Sequence, residues 1–323
     1  MMKAALVTRY GSADAVRLGE RPTPVPKADE VLIRVHASTV SAADWRIRSA
    51  SVPRGFGLLI RFVFGFRGPR QPVLGSELSG VVESVGARVS RFRPGDRVFA
   101  FPGVKMGAHA EYLAMPEDGK VLPIPAGLSM AEAAAICFGG TTALYFLRDK
   151  AKVQAGEKVL IVGASGSVGS AAVELAKHFG AAVTGVCSAA NLEFVRDLGA
   201  DHVIDYQVQD FTQDGQRYDV IMDCTGTASF ARCRDSLTPG GRLLLVVATM
   251  GQTLAALTRR QVITGGGPES VDDMATLAEL CARGVFHPRI GATLTFEEIA
   301  RAHALVESQH KRANLVLTMP LSH

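Results

Sequence analysis

Lys158-Val-Leu-Ile-Val-Gly163-Ala-Ser-Gly166-Ser-Val-Gly169, continuing into Ser170-Ala-Ala-Val-Glu-Leu-Ala-Lys-His-Phe-Gly180, joins an apolar run to a glycine cluster and then to residues at helical spacing. This is the sequence form of a strand, a tight turn and a helix that seats a pyrophosphate. Glycine lets the backbone turn sharply and approach the phosphates, and the free amides and positive dipole end of the next helix favour negative charge. The spacing is G-x-G-x-x-G except that Ala164 holds the first position, with Gly163 just upstream. Glycines so spaced also occur in ordinary loops, so the neighbouring segments decide the reading.

Those segments continue the strand and helix alternation. Strand-like runs occur at Ala181–Cys187, His202–Tyr206, Tyr218–Asp223, Arg242–Ala248 and Gln261–Thr264, with a helix-like stretch over Leu192–Leu198. Runs of leucine and β-branched residues without alternation suit parallel strands buried on both faces. The expected fold class is α/β, a doubly wound parallel sheet of Rossmann type, accompanied by a second, β-rich domain. In the first 120 residues, short strands such as Glu30–Ala37 and Gly80–Val85 are separated by Pro, Gly and Asp turns including Arg93-Pro-Gly-Asp96. Ser129-x-x-Glu132 forms a capping box that opens a helix expected over Ala131–Asp149, and Thr295-x-x-Glu298 opens a late helix ending near His310. The strand Asn314–Thr318 returns to the first domain. The division is therefore 1–123 with 287–323 for the β-rich domain, and 124–286 for the dinucleotide-binding domain.

The 323 residues suffice for two domains, and a net charge of +4 is too small to make nucleic acid the main partner. No apolar stretch reaches membrane-spanning length, which argues against stable membrane insertion, and no secretory pattern opens the chain. Five cysteines, an odd number without C-x-x-C spacing, fit a reducing, cytoplasmic setting with each thiol a small buried hydrophobe.

Gly75-Ser-Glu77-x-x-Gly80, Arg93-Pro-Gly-Asp-Arg-Val98, Ala108-His-Ala-Glu-Tyr112, the glycine loop and Leu198-Gly-Ala-Asp-His-Val-Ile-Asp-Tyr206 together resemble the medium-chain dehydrogenase/reductase superfamily. Within it the chain is most similar to the zinc-independent quinone oxidoreductase branch, near the reticulon-interacting-protein-like members. The resemblance spans nearly the whole chain. It implies a GroES-like substrate domain, a Rossmann domain and a cleft between them. Where zinc-dependent relatives carry metal ligands, this sequence has Ser41, Ser76 and Phe138, which do not make the sulfur and imidazole set that holds zinc. Cys137 lies one residue from the third position and reads as core. No metal site is therefore expected.

Without a Lewis acid to polarise an alcohol or ketone, the substrates that need least help are quinones and α,β-unsaturated carbonyls. The expected reaction is hydride transfer from NADPH to such an acceptor, with orientation in the cleft supplying much of the acceleration. Ser41 and Asp44, in Ser41-Ala-Ala-Asp-Trp45, match the family's Asn-Pro-x-Asp segment with Ser and Ala in place of Asn and Pro. Together with Thr142, which the resemblance places against the nicotinamide, they are the candidate catalytic residues; a turn or cap carboxylate is the alternative for Asp44.

The end of the second Rossmann strand reads Cys187-Ser-Ala-Ala-Asn191, with no acid to bind ribose hydroxyls or to repel an added phosphate, which favours NADPH. The candidate cofactor-binding set is Thr142, Ser165, Gly166, Ser167, Val168, Ser188, Asn191, Tyr206, Cys224, Val247 and Asn314. The basic residue that the resemblance places at Ala190 is absent; Lys311, Arg312 or Asn314 can substitute for it, the alternative for that short charge run being a plainly solvated end. Two other readings remain: NAD(P)-dependent alcohol oxidation or carbonyl reduction, and an NADPH-binding regulatory protein with little turnover. A homodimer through the outer strand near Gln261–Thr264 is the expected assembly.

Between Asp44 and Glu77 there is no acid, but six arginines are interleaved with aromatic and aliphatic residues. The plainer expectation is a helical segment packed on its own domain with arginines snorkelling outward. The alternative is a lid over a large apolar substrate or a contact with an anionic membrane.

Overall fold

The computed structural model describes residues 1–267 and 269–320. The strand of the opening motif, Lys158–Val162, lies inside a six-stranded parallel sheet. Across that sheet the strands run His202–Asp205, Ala182–Cys187, Lys158–Val162, Tyr218–Asp223, Leu237–Leu245 and Val262–Thr264. The chain order reverses between Lys158–Val162 and Tyr218–Asp223. In an open parallel sheet this switch point leaves a crevice beyond the carboxyl ends of the strands. Val159, Ile161, Val183, Val220, Met222 and Leu244 pack in one apolar layer, and Leu160, Ile221 and Leu243 in the layer on the opposite face. Two covered faces explain why the strands read as continuous apolar runs.

The other sheet has seven strands. Its main path is Ile290–Thr295, Asn314–Thr318, Glu30–Thr39, Leu78–Val85, Arg97–Ala100 and Val121–Pro123, and Tyr112–Pro116 also pairs with Glu30–Thr39. The late strand Asn314–Thr318 thus joins residues near the amino terminus, antiparallel to Glu30–Thr39. An antiparallel hairpin, Met2–Val7 with Val16–Arg21, lies beside this sheet.

Three local expectations are corrected. The segment Ala131–Asp149 is not one helix: Met130–Ala134 stops, Cys137–Leu144 starts anew, and a π-helical stretch follows over Tyr145–Ala151. The Ser129–Glu132 capping box is present, but the break comes from another domain. The Glu77 carboxylate accepts the Cys137 and Phe138 amides (3.1 and 2.7 Å) and so caps the second helix from outside. The fifth strand begins at Leu237 and ends at Leu245, rather than running from Arg242 to Ala248. Pairing at Tyr218–Leu237 resumes at Val220–Arg242, so a looped-out Thr238–Gly241 carries the strand start upstream. Finally, the Arg/Phe-rich segment does form a helix, Gly57–Phe64, yet no residue in it is buried. Phe64 packs on the domain, but Leu58, Leu59, Phe62 and Val63 face outward.

Candidate active site

The helix after the glycine loop, Ser167–His178, has Gly166 as its N-cap and no side chain closing its first turn. Those amides are left for an external acceptor. The loop tolerates no added bulk at two points. Gly163 sits at φ +79°, and a Cβ on Gly169 would collide with the Gly163 carbonyl, so helix and strand meet backbone to backbone. A Cβ on Gly166, by contrast, would meet nothing nearer than 3.5 Å, because that residue borders open space. This combination is a phosphate cradle: a turn held tight from behind and open in front.

The space in front is a cavity of about 850 Å³. At its centre lie Gly163, Ser165, Gly166, Ser167 and Val168. One end is lined by Ser188, Asn191, Tyr206, Gln209 and Arg232, and the opposite wall by Phe138 together with Trp45 and Arg46 from the other domain. Residues from the ends of the strands Lys158–Val162, Ala182–Cys187 and Tyr218–Asp223 thus meet residues of the antiparallel domain, as a switch-point crevice requires.

The expected cofactor residues divide into two groups. Ser165, Gly166, Ser167, Val168, Ser188, Asn191, Tyr206 and Cys224 all line the cavity. The Asn191 amide donates to the Ser188 hydroxyl (3.1 Å), which joins these two polar groups at the strand end. Burial pushes the Cys224 thiol far up, so it remains protonated. Thr142, Val247 and Asn314 are not among the lining residues. The Thr142 hydroxyl donates to the Phe138 carbonyl one turn earlier (2.7 Å), Val247 packs beside Gly226, and the Asn314 amide donates to the Arg289 carbonyl (2.9 Å).

Ser41 and Asp44 also stand back from the cavity, in a capping box on the helix Ala42–Ser49. One Asp44 carboxylate oxygen accepts the Ser41 amide and hydroxyl (both 2.7 Å), and the other accepts the Gly75 amide (2.8 Å). What this pair presents to the cleft is its helix: Ala42, Trp45 and Arg46 line the wall. The next hydrogen-bonded group is Glu77, which takes the Thr39 hydroxyl as well as the two amides of the Cys137–Leu144 helix. Complete burial raises its carboxyl to about 7, against the pull of those three donors. Ser41, Ser76 and Phe138, the positions at which zinc-dependent relatives carry ligands, are therefore linked through Asp44, Gly75 and Glu77. The Ser76 hydroxyl is buried and has no hydrogen-bond partner among the described residues. Among the described residues no group of three or more His, Cys, Asp or Glu is placed to hold a metal.

Lys311 lines the cavity, so it is not part of a plainly solvated end. Its ammonium donates to the Ser167 hydroxyl (2.6 Å) and the Ala313 carbonyl (2.5 Å), beside the open helix terminus. Enclosure there lowers its pKa to about 8, with Glu77 pulling the other way. Arg232 is the cation that sequence reasoning missed. It lies on the short helix Phe230–Cys233 after the fourth strand in chain order, and it reaches the end of the cavity where Tyr206 and Asn191 stand. It pairs there with Asp210 (3.1 Å) and stacks on Phe211. No local motif marks it, because its place depends on a helix packing beside a strand that is distant in sequence.

Residues 27–126 match the family model described as an alcohol dehydrogenase GroES-like domain, and residues 198–317 match one described as a zinc-binding dehydrogenase. A chloroplastic quinone-oxidoreductase homologue of Spinacia oleracea is 32% identical over 255 residues, covering 76% of this chain and 74% of that protein. The chain belongs to the medium-chain dehydrogenase/reductase superfamily. Its branch is the quinone-oxidoreductase-like one, and the 2-methylene-furan-3-one reductase of Solanum lycopersicum is another relative, 33% identical over 84% of this chain and 74% of that protein. The quinone oxidoreductase of Coxiella burnetii superposes with a TM-score of 0.87 at 27% identity, over 99% of both chains. The superfamily is one of pyridine-nucleotide-dependent dehydrogenases and reductases, and the cavity follows its plan: a GroES-like domain facing a parallel sheet across a dinucleotide-sized cleft. The words zinc-binding in the second family description have no counterpart in this chain's donor groups at Ser41, Ser76 and Phe138.

Proposed function

We propose that this oxidoreductase takes NADPH and delivers hydride to quinones or α,β-unsaturated carbonyls without a metal. The observation that carries the reading is the single cavity that runs from the open cradle at Gly166 to a wall of Trp45, Phe138 and Val306, where a flat apolar acceptor can lie. The residues fit the dinucleotide: an uncapped helix terminus and the Lys311 ammonium suit the pyrophosphate. The donors of Ser188, Asn191 and Tyr206, with Arg232 beside them, suit an additional phosphate on the ribose. When bound, the nicotinamide supplies the hydride.

The chain's own part is binding and orientation. Trp45 and Phe138 exclude water from the acceptor face, and the Arg46 guanidinium, also in the wall, favours the negative charge that develops on a quinone or enone oxygen. Ser41, Asp44 and Thr142 act here as positioning residues. The first two hold the helix that carries Trp45 and Arg46, and the third braces the turn that carries Phe138. A conjugated acceptor disperses charge through its own electrons, which agrees with serines and a phenyl ring where a zinc set would stand. The tomato relative is named for a substrate of this kind, a ring ketone conjugated to a methylene group.

The test is NADPH and NADH consumption with a panel of quinones, enones, aldehydes and alcohols, alongside metal analysis of the purified protein. Oxidation of NADPH by quinones or enones with no bound metal supports the reading. Stoichiometric zinc with alcohol turnover would overturn it, and tight NADPH binding without turnover would favour a regulatory role. For cofactor choice, Ser188→Asp should turn the preference toward NADH, because a carboxylate there repels a ribose phosphate. We further propose a homodimer through Val262–Thr264, whose one sheet neighbour is Leu237–Leu245, leaving an edge to pair with its copy. Sedimentation velocity measures it.

A further inference from the structure

The helix Gly57–Phe64 turns Leu58, Leu59, Phe62 and Val63 to solvent, with Leu58 76% and Phe62 66% exposed, and Phe66 extends the same patch. Beside it stands the helix Met250–Ala256 from the other domain. The Met250 amide donates to the Arg54 carbonyl (3.0 Å), and Gly55 packs against the Met250 side chain. That helix adds the exposed Leu254 and Leu257. Two elements from different domains, joined where Arg54 and Gly55 meet Met250, therefore both carry exposed apolar side chains, which monomeric soluble proteins rarely leave open in numbers. Around them are six exposed arginines: Arg54, Arg61, Arg67, Arg70, Arg259 and Arg260. Residues 45–76 and 249–268 contain no acid, and none of the six pairs with a carboxylate among the described residues. These two segments alone carry more positive charge than the net +4 of the chain.

We infer that this patch docks on an anionic lipid surface, with the apolar side chains at the headgroup boundary and the arginines on lipid phosphates. Charge decides between this occupant and a second copy of the chain. A two-fold contact through the patch would set six unpaired arginines against six others, with no acid on either face. An anionic bilayer offers what both halves of the surface lack, a low-polarity layer beneath a sheet of negative charge. No helix among the described residues is long and apolar enough to cross a membrane, so the contact is peripheral. The inference does not depend on which acceptor the cleft reduces.

The experiment is co-sedimentation of the full chain with vesicles of phosphatidylcholine alone or mixed in equal parts with phosphatidylglycerol, at low and high salt. The protein should sediment with the mixed vesicles, stay in solution with phosphatidylcholine, and release as salt rises. Leu58→Asp with Phe62→Asp should abolish sedimentation while circular dichroism and NADPH binding stay those of the parent. Arg67→Glu with Arg260→Glu should weaken vesicle binding by about tenfold or more. Absence of binding to mixed vesicles, or equal binding by the parent and the Leu58/Phe62 variant, would overturn the inference. So would conversion of a soluble dimer to a monomer by the Leu58/Phe62 substitutions without any vesicle binding in the parent.

Discussion

On the parallel-sheet wall of the cleft, the Ser165, Ser188, Asn191, Tyr206 and Arg232 side chains border open space; on the opposing wall Ser41, Asp44, Glu77 and Thr142 commit their polar atoms to other groups of the protein. Two buried carboxylates serve the second wall alone, each tying together segments remote in sequence: Asp44 reaches Gly75, and Glu77 reaches Thr39, Cys137 and Phe138. The difference separates two tasks that one cavity needs. The first wall turns its polar groups toward the space a polyanionic ligand would fill. The second satisfies its own polar groups so that an aromatic and aliphatic rim holds still against a flat acceptor.

If the first wall works by backbone approach, the largest effect follows from Gly169→Val. The new side chain would strike the Gly163 carbonyl and push the helix off the strand, and NADPH binding should fall below detection in calorimetry. Circular dichroism separates a lost loop from a lost fold.

The second wall is broken at Glu77. Glu77→Ala leaves two amides of the Cys137–Leu144 helix and the Thr39 hydroxyl without their acceptor, and chemical denaturation should show a loss of about 3 kcal/mol. Its titration sharpens the comparison. Because the folded carboxyl is held up at about 7 from an ordinary 4.5, the folded chain keeps a proton in that window which the unfolded chain has released. This group's contribution is full below 4.5 and is lost as pH rises through about 7. Glu77→Gln can offer its oxygen to the two amides and its NH2 to Thr39. It should remove this pH-dependent loss, which amounts to about 3 kcal/mol, in denaturation midpoints measured across the window.

A smaller effect is expected from Lys311→Met, about tenfold weaker NADPH binding. Enclosure brings the free ammonium down to about 8, and ligand phosphates favour its charged form, so binding above that pH should take up a proton and weaken as pH rises. Titrations in buffers of different ionisation enthalpy measure the uptake, and the variant should lose it. The smallest effect belongs to Ser41→Ala. It removes a cap worth about 1 kcal/mol but no group that lines the cavity, so stability should drop while kcat/KM for quinones changes by less than about twofold.

The parts of this molecule legible in the sequence are those fixed by neighbours along the chain. The strand, loop and helix of Lys158–His178 need only glycine geometry and helical spacing, and Ser188 and Asn191 follow because they end the next strand. Phe138, Trp45, Lys311 and Arg232 come together from four separate segments, and their meeting depends on packing that no local pattern encodes. The broken helix at Ala135–Ile136 has the same origin, since the carboxylate that restarts it belongs to Glu77, some sixty positions upstream. The helix Gly57–Phe64 misled for a different reason. Apolar spacing identifies a face that avoids water without saying whether this chain or another surface covers it.

The approach to the last strand also crosses the boundary between the domains. The Ala313 amide donates to the Ser165 carbonyl (2.7 Å) and the Ser167 hydroxyl to the Ala313 carbonyl (2.9 Å), while the next residues, Asn314–Thr318, enter the antiparallel sheet. Ala313 adopts φ +46°, a left-handed turn that lets the chain make both contacts and change direction. The cradle is thus stitched to the sheet of the opposite domain, and the cleft has a spine. A ligand settling on Gly166 would therefore lie against the seam itself, so that whatever holds the last strand in the antiparallel sheet also holds the turn that meets the phosphates.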